Sequence, residues 1–204
     1  MGKALIFFSI SCKTPASAGF LLSAYLLDFL MALILPYKDT FPEISDKAFI
    51  AATATVIGDV QIGAETGIWY GCTVRGDVHE IRIGKRTNIQ DGSVIHVTEG
   101  GHGTYIGDEV TVGHMALLHA CTIEDRAFIG MGSMVMDGAV VETNGMLAAG
   151  AMLTNNKRIK AGELWAGRPA KFWRLMTQEE IDWIPKSADK YAKLAGRYLE
   201  VEGA

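Results

Sequence analysis

The stretch that decides the fold is Ile123–Leu153, IEDRAFIGMGSMVMDGAVVETNGMLAAGAML. An aliphatic residue recurs in it at every sixth position, namely at Ile123, Ile129, Val135, Val141, Leu147 and Leu153. A step of six fits neither the 3.6-residue repeat of a helix nor the alternation of a long strand. It is typical of a parallel β-helix, in which the chain turns a corner after every short strand.

The same step extends upstream with interruptions. The earlier aliphatic residues are Ile50, Val56, Ile62, Ile68 and Val74, then Ile83, Ile89 and Ile95, then Ile106, Val112 and Leu118. The step from Leu118 to Ile123 is five, which predicts one shortened corner. Because one coil cannot cover its own ends, coils must stack, with neighbouring strands about 4.8 Å apart. We therefore predict an all-β solenoid of hexapeptide repeats over residues 35–175, in preference to a β-sandwich with chance spacing.

Two interruptions separate these runs, at residues 75–82 and 96–105. We expect both to be loops, and loops carry binding and catalytic residues more often than the scaffold does. After Leu153 we expect the six-residue step to end, at residues 154–157.

The C-terminal segment, residues 176–204, is predicted to be helical. Thr177-Gln178-Glu179-Glu180 is a capping box that opens a helix, and Ile184-Pro185 is expected to break it. A second helix is predicted over residues 187–200, lying along the solenoid. Its apolar side would carry Tyr191, Leu194, Ala195, Tyr198 and Leu199. The bulky Trp165, Phe172 and Trp173 are expected to pack against this helix rather than bind a ligand.

Charge and cysteine content narrow the class of protein. The net charge is −4 over 204 residues and the basic residues are scattered, so there is no electrostatic case for nucleic-acid binding. The three cysteines, Cys12, Cys72 and Cys121, are odd in number and form no CxxC motif. This favours a reducing compartment over a disulfide framework. We expect a cytoplasmic protein with Cys72 and Cys121 in its core.

The N-terminal extension, residues 1–34, lacks the repeat. Within it Gly19–Leu35 is largely apolar, at the lower edge of the length that spans a membrane. Asp28 near the middle opposes insertion by about 2.5–3.5 kcal/mol, so a membrane association is not favoured. Three interpretations stay open: a natural start at Met31 with residues 1–30 non-native, a peripheral helix, or an anchor.

Three histidines, His96, His114 and His119, each closely follow an aliphatic position of the repeat. Repeat position decides where a side chain points, so the pattern indicates a metal site built on the solenoid. Three imidazoles suit Zn²⁺ with a fourth position open, and they also accept Fe²⁺ or Co²⁺. Spacing alone leaves open whether one chain or two supply them. His79 and His102 lie off the repeat and are expected to be solvated loop residues.

Several segments together closely resemble the γ-class carbonic anhydrase family. They are RGD at 75–77, NIQDG at 88–92, VGHMALLHACTI at 112–123, IGMGS at 129–133 and WAGRPAK at 165–171, together with His96. The resemblance covers residues 35–200. It implies a left-handed β-helix and a homotrimer with the metal between subunits.

The resemblance also implies roles for individual residues. His96 and His119 would come from one chain and His114 from the next, while Arg75 and Asp77 would tie neighbouring subunits together. Gln90 would lie beside the metal-bound water with Asn88 near it. Asp91 would be a supporting or interface carboxylate, and Glu99 would move protons.

The implied activity is the reversible hydration of CO₂ to bicarbonate. This chain departs from the founding enzymes at one position: Val78 stands where they carry a further active-site glutamate. The proton released by CO₂ hydration must leave the site through proton-accepting side chains, so the loss of this carboxylate favours an alternative function. In that alternative the chain is a metal-binding trimer with little CO₂ activity, acting as a scaffold or in acyl-CoA metabolism.

Overall fold

The computed structural model describes residues 32–202, and they form a parallel β-solenoid of about seven turns followed by one helix. The predicted fold class is thereby confirmed. The strands are β1 (Leu33–Leu35), β2 (Glu43–Ile44), β3 (Phe49–Ile50), β4 (Thr55–Ile62), β5 (Gly67–Ile68), β6 (Thr73–Ile83), β7 (Asn88–Ile89), β8 (Val94–His96), β9 (Thr104–Ile106), β10 (Thr111–Val112), β11 (Leu117–His119), β12 (Thr122–Ile123), β13 (Phe128–Ile129), β14 (Met134–Val135), β15 (Val140–Val141), β16 (Met146–Leu147), β17 (Met152–Leu153), β18 (Arg158–Ile159), β19 (Glu163–Ala166) and β20 (Lys171–Leu175). The helix is α1 (Gln178–Glu202).

Two sheets wrap around the solenoid axis. One runs β17-β14-β11-β8-β6-β9-β12-β15-β18, with β1, β2 and β4 attached through β4, and the other runs β20-β19-β16-β13-β10-β7-β5-β3. Within the coils the pairing is parallel, and among the strands of residues 32–202 only β19 and β20 pair antiparallel. Parallel register stacks equivalent residues of successive coils on one another, so each face of the solenoid carries columns of side chains.

The core consists of the repeating aliphatic residues. From Val56 to Leu153 each of them is buried, whereas Ile50, in the first coil, is only partly buried.

One corner shows why small residues recur between the strands. Gly132 and Gly150 adopt left-handed backbone angles there, with φ of 64° and 68°. A Cβ atom at either glycine would meet nothing within 4 Å, so backbone angle rather than space favours glycine.

Two details of the predicted repeat are wrong. Residues 75–82 are not a loop but the middle of β6, which pairs with β4, β8 and β9 and so bridges two faces of the solenoid. Both ends of that stretch pair in the sheet, while the irregularity between Gly76 and Ile81 takes up the extra residues and the Val78 N–H donates to Asp77 Oδ1. The repeat also continues past Leu153, because Ile159 is fully buried and Trp165 pairs with Leu147. Residues 97–103 do leave the sheet, as predicted.

The capping box at the start of α1 is confirmed. The Glu180 backbone N–H donates to Thr177 Oγ1 at 3.2 Å, and the Thr177 N–H donates to Glu180 Oε2 at 2.9 Å. The predicted break at Pro185 is wrong, since α1 is continuous through it. Proline there removes a hydrogen bond at a cost of about 3 kcal/mol. The face that carries the fully buried Ile184 and Ala188 offsets that cost, because it packs against the solenoid only if the helix continues.

The predicted apolar side of the helix is confirmed, and it lies along the solenoid. Its five residues pack around Phe49, Ala51 and Trp69. The expectation for two other aromatics is wrong: Phe172 and Trp173 lie on β20 with 51% and 65% of their surface exposed. The helix contacts β10, β7, β5 and β3, and so runs back toward the first coils and away from β20. Trp165 packs instead against the solenoid core.

Cys72 and Cys121 are free, buried thiols, as predicted. Burial raises the pKa of Cys72 to about 11 and that of Cys121 to about 12, so both stay protonated at neutral pH. Among residues 32–202 no helix has the length and apolarity needed to cross a membrane. Cys12 and the three interpretations of residues 1–30 lie outside the described part of the chain.

Candidate metal centre

The structure brings two of the three histidines together. His96 ends β8 and His119 ends β11, and the parallel register of these strands makes them direct neighbours. The His96 Nδ1 and His119 Nε2 atoms are 3.2 Å apart, with the ring centroids at 5.2 Å. Both side chains are partly buried. The nitrogens that face each other are therefore fixed by strand pairing rather than by a flexible loop.

Carboxylates hold the outer nitrogens of both rings. His96 Nε2 lies 3.0 Å from Asp77 Oδ1, and His119 Nδ1 lies 2.8 Å from Asp137 Oδ1. A carboxylate is an acceptor, so each of these nitrogens carries the N–H. The two inner nitrogens then present lone pairs to each other, and a lone pair cannot bond a lone pair. A proton or a metal ion between them completes the arrangement.

The two carboxylates are stabilised in their charged form. Partial burial acts to raise the pKa of Asp77, but hydrogen bonds from His96 and Arg75 outweigh it and lower that pKa. For Asp137, burial is likewise outweighed, here by hydrogen bonds from Thr98 and His119, and its pKa is lowered. Arg75 makes an ion pair with Asp77 within the chain. The histidine pair therefore has a negatively charged support on each side.

The inner nitrogens have the spacing that a tetrahedral metal requires. Two nitrogens bound to one Zn²⁺ at 2.0–2.1 Å in tetrahedral geometry lie about 3.3 Å apart. The observed distance of 3.2 Å is close to this spacing. Within residues 32–202, however, no three histidine, cysteine or carboxylate side chains are grouped closely enough to hold a metal. The described part of one chain thus places two imidazole nitrogens together, and a metal with three protein ligands would need a third ligand from elsewhere.

His114 lies apart from the pair. It occupies the turn between β10 and β11, and its Nδ1 lies 2.9 Å from Asp91 Oδ2. Nearby, Gln90 is buried and donates through Nε2 to Asn88 Oδ1 at 3.0 Å. Asn88 in turn donates to Thr111 Oγ1 at 3.0 Å. Because Asn88 accepts and then donates, it fixes the amide of Gln90 in one orientation.

The remaining predicted residues take simpler positions. Glu99 is exposed in the turn of the 97–103 segment, and His102 is exposed beside it. The prediction that His79 is a loop residue is wrong, because it lies on β6 with its Nδ1 2.8 Å from Glu80 Oε2. Val78 packs against the solenoid core.

Two residues of the centre were missed from the sequence, Asp137 and Thr98. The Thr98 hydroxyl donates to Asp137, whose other oxygen holds His119. A signal for Asp137 existed, because it follows His119 by 18 residues, the length of one coil of three hexads. Thr98 lies in the non-repeating segment, where sequence spacing gives no signal.

Known proteins include clear relatives of this chain, although no protein-family model matches it. The chain is 52% identical over 162 residues to "Gamma carbonic anhydrase 1, mitochondrial" of Arabidopsis thaliana, covering 77% of this chain and 59% of that longer protein. It is 40% identical over 168 residues to a carbonic anhydrase of Geobacillus kaustophilus, covering 82% and 91%. A crystal structure of a hexapeptide transferase family protein from Anaplasma phagocytophilum matches with a TM-score of 0.79 and 53% identity, covering 82% and 98%.

Proposed function

Since this chain belongs to the γ-class carbonic anhydrase family, we propose that it catalyses the reversible hydration of CO₂ to bicarbonate at a metal site shared between subunits of a homotrimer. The observation that carries the proposal is the pair of facing nitrogens, 3.2 Å apart, on His96 and His119. Their outer nitrogens are already bonded to carboxylates, so the inner lone pairs are free for a metal.

His114 is the third ligand in this proposal, and it comes from a second copy of the chain. It lies apart from the pair on its own chain, yet it has a carboxylate, Asp91, on its Nδ1, as the other two histidines have carboxylates on theirs. The Nδ1–H donated to Asp91 leaves Nε2 as the donor to the metal. A bound Zn²⁺ would act as a Lewis acid that lowers the pKa of water to near 7, and three imidazoles also accept Fe²⁺ or Co²⁺.

The other residues orient and exchange protons. Asp77 and Asp137 hold the two imidazoles in the tautomers that leave their inner nitrogens unprotonated, and Arg75 keeps Asp77 charged. The Gln90 amide, fixed by Asn88, is placed to orient a small polar molecule beside His114. Glu99 is the proposed proton acceptor, since its carboxylate is exposed to solvent buffer.

The decisive experiment compares wild-type protein with His114→Ala. Metal content and CO₂ hydration, followed by stopped flow, should both fall steeply in the variant. His102→Ala is the matched control, because His102 is an exposed histidine of the 97–103 segment and should leave both unchanged. Wild-type protein purified without oxygen and holding no stoichiometric metal would refute the metal site. Mixing His114→Ala with His119→Ala subunits should restore some sites if the ligands come from two chains.

A second candidate function is favoured by Val78, which removes a carboxylate that the founding enzymes carry, and by the transferase family name of the Anaplasma relative. In this candidate the metal-binding trimer has little CO₂ activity and acts as a scaffold or on acyl-CoA substrates. Hydrolysis of acetyl-CoA, measured alongside CO₂ hydration on the same preparation, separates the two. Metal present with acyl-CoA turnover and no CO₂ turnover would favour the second.

A further inference from the structure

A cavity of about 570 Å³ lies between α1 and the face of the solenoid that it covers. We call it the helix cavity. Its walls are mostly apolar, and on one side Phe128 and Trp183 form an aromatic pair with ring centroids 5.6 Å apart. Met131 and Met146 line the solenoid side. A cavity of this volume is in the range of sites for organic molecules and is far larger than CO₂ or bicarbonate needs.

Two lysines are the charged side chains that line the helix cavity, and Asp91 lies behind its lining, 2.9 Å from His114 Nδ1. Lys186 and Lys190 line it from successive turns of α1, and no carboxylate is among its lining residues. Within residues 32–202 neither lysine has a hydrogen bond or an ion pair. Lys193, on the same helix but outside the cavity, is paired with Asp189 at 2.6 Å. Lys193 is thus neutralised by a carboxylate, whereas Lys186 and Lys190 at the cavity are not.

Uncharged polar groups also converge on the helix cavity. Gln90 and Ser187 are buried in its lining, and the Ser187 hydroxyl lies 3.4 Å from Thr111 Oγ1. His114 lines the cavity too. The helix cavity thus combines mostly apolar walls with a few fixed polar groups and two lysines. Such a lining favours binding of an amphipathic anion over a cation.

We propose that the helix cavity binds an organic monocarboxylate with an apolar, preferably aromatic, body. The body lies between the Phe128–Trp183 pair and the methionines, and the carboxylate accepts hydrogen bonds from Lys186 and Lys190. This site goes beyond the proposed CO₂ chemistry and does not require the metal. Its only shared residues are Gln90 and His114.

The test uses 4-nitrobenzoate as the probe, with binding followed by calorimetry and by quenching of tryptophan fluorescence, since Trp183 lines the site. The double variant Lys186→Met, Lys190→Met keeps the apolar stems and removes both charges. Removal of two solvent-exposed ammonium groups together should weaken binding by about 2- to 30-fold. Lys193→Met is the matched control and should bind as wild type. The uncharged 4-nitrobenzamide should bind wild type as weakly as the acid binds the double variant.

Four results would overturn the proposal: no saturable binding to wild type, equal loss in Lys193→Met, equal affinity for acid and amide, or a change of oligomeric state in the double variant. The last result, measured by light scattering, would mean that Lys186 and Lys190 contact a second copy of the chain rather than a ligand. His119→Ala separates this proposal from the metal proposal, because His119 does not line the cavity. That variant should lose metal and keep nitrobenzoate binding.

Discussion

Asp137→Asn should weaken metal binding without unfolding the protein. The wild-type carboxylate accepts the Nδ1–H of His119 at 2.8 Å and keeps that ring turned so that Nε2 faces His96. Asparagine has the same shape but no charge. Its oxygen can still accept from the ring, so the change removes electrostatic support while leaving the volume filled.

The magnitude follows from the contact. A hydrogen bond to a charged group contributes about 1.5–3 kcal/mol. The Asp137 side chain is 30% exposed, and solvent screening reduces the loss to about 1–2 kcal/mol. That corresponds to a 5- to 30-fold weaker metal affinity, at the lower end of the 10- to 100-fold typical of residues that orient a metal ligand.

The assay is competition for Zn²⁺ with a chromophoric chelator, on protein whose thermal unfolding is recorded in parallel. Asp182→Asn is the matched control, because Asp182 is an exposed carboxylate on α1 that accepts from Gln178. The reasoning is refuted if Asp137→Asn binds zinc within twofold of wild type. An equal loss in Asp182→Asn would refute it too, since the effect would then come from net charge.

Three further predictions concern stability. Ile129→Ala should lower the free energy of unfolding by about 2–5 kcal/mol in urea titrations, because Ile129 is fully buried, whereas Leu33→Ala, at a half-exposed position, should cost well under that. Pro185→Ala should stabilise the protein by about 2 kcal/mol, because the roughly 3 kcal/mol from the restored helical hydrogen bond is reduced by up to about 1 kcal/mol through the greater freedom of the unfolded chain; an unchanged unfolding midpoint would contradict this. Hydrogen bonds from Arg174 and Thr177 lower the pKa of Glu180 to about 2, whereas the pKa of a glutamate in the unfolded chain is near 4.3. The stabilisation that ionised Glu180 gives to the start of the helix is therefore complete above the unfolded pKa and is lost as the pH falls toward 2. Helical circular dichroism between pH 5 and pH 2 should therefore fall less in Glu180→Gln than in wild type.

The solenoid was predictable because one aliphatic residue for each strand is a local, repeated requirement. The stretch 75–82 was not, since Arg75–Arg82 breaks the step of six and yet stays in the sheet as β6. Sequence periodicity reports the core and not the backbone hydrogen bonds, which any residue except proline makes. The same limit explains Pro185: its local preference is to end a helix, and packing of Ile184 outweighs that preference.

The sequence singled out three histidines, but their spacing did not show which two of them lie together. His96 and His119 are 23 residues apart, although they lie side by side, because the 97–103 segment lengthens the coil between them. His114 is only five residues from His119 in sequence and lies apart from it in space. The number of residues between two positions of one coil determines how far apart they lie around the solenoid axis. Whether their side chains touch depends instead on the register between neighbouring coils.

That register accounts for the architecture of the centre. Asp77, His96, His119 and Asp137 come from four consecutive coils of one face, following the strand order β6-β8-β11-β14. Each contact between them joins neighbouring coils, so each ligand is held by the coil above or below it rather than by its own loop. A solenoid can therefore orient two metal ligands rigidly along one column, but a column leaves one side of the metal open. In the proposed trimer, His114 of a second copy would approach from outside that face.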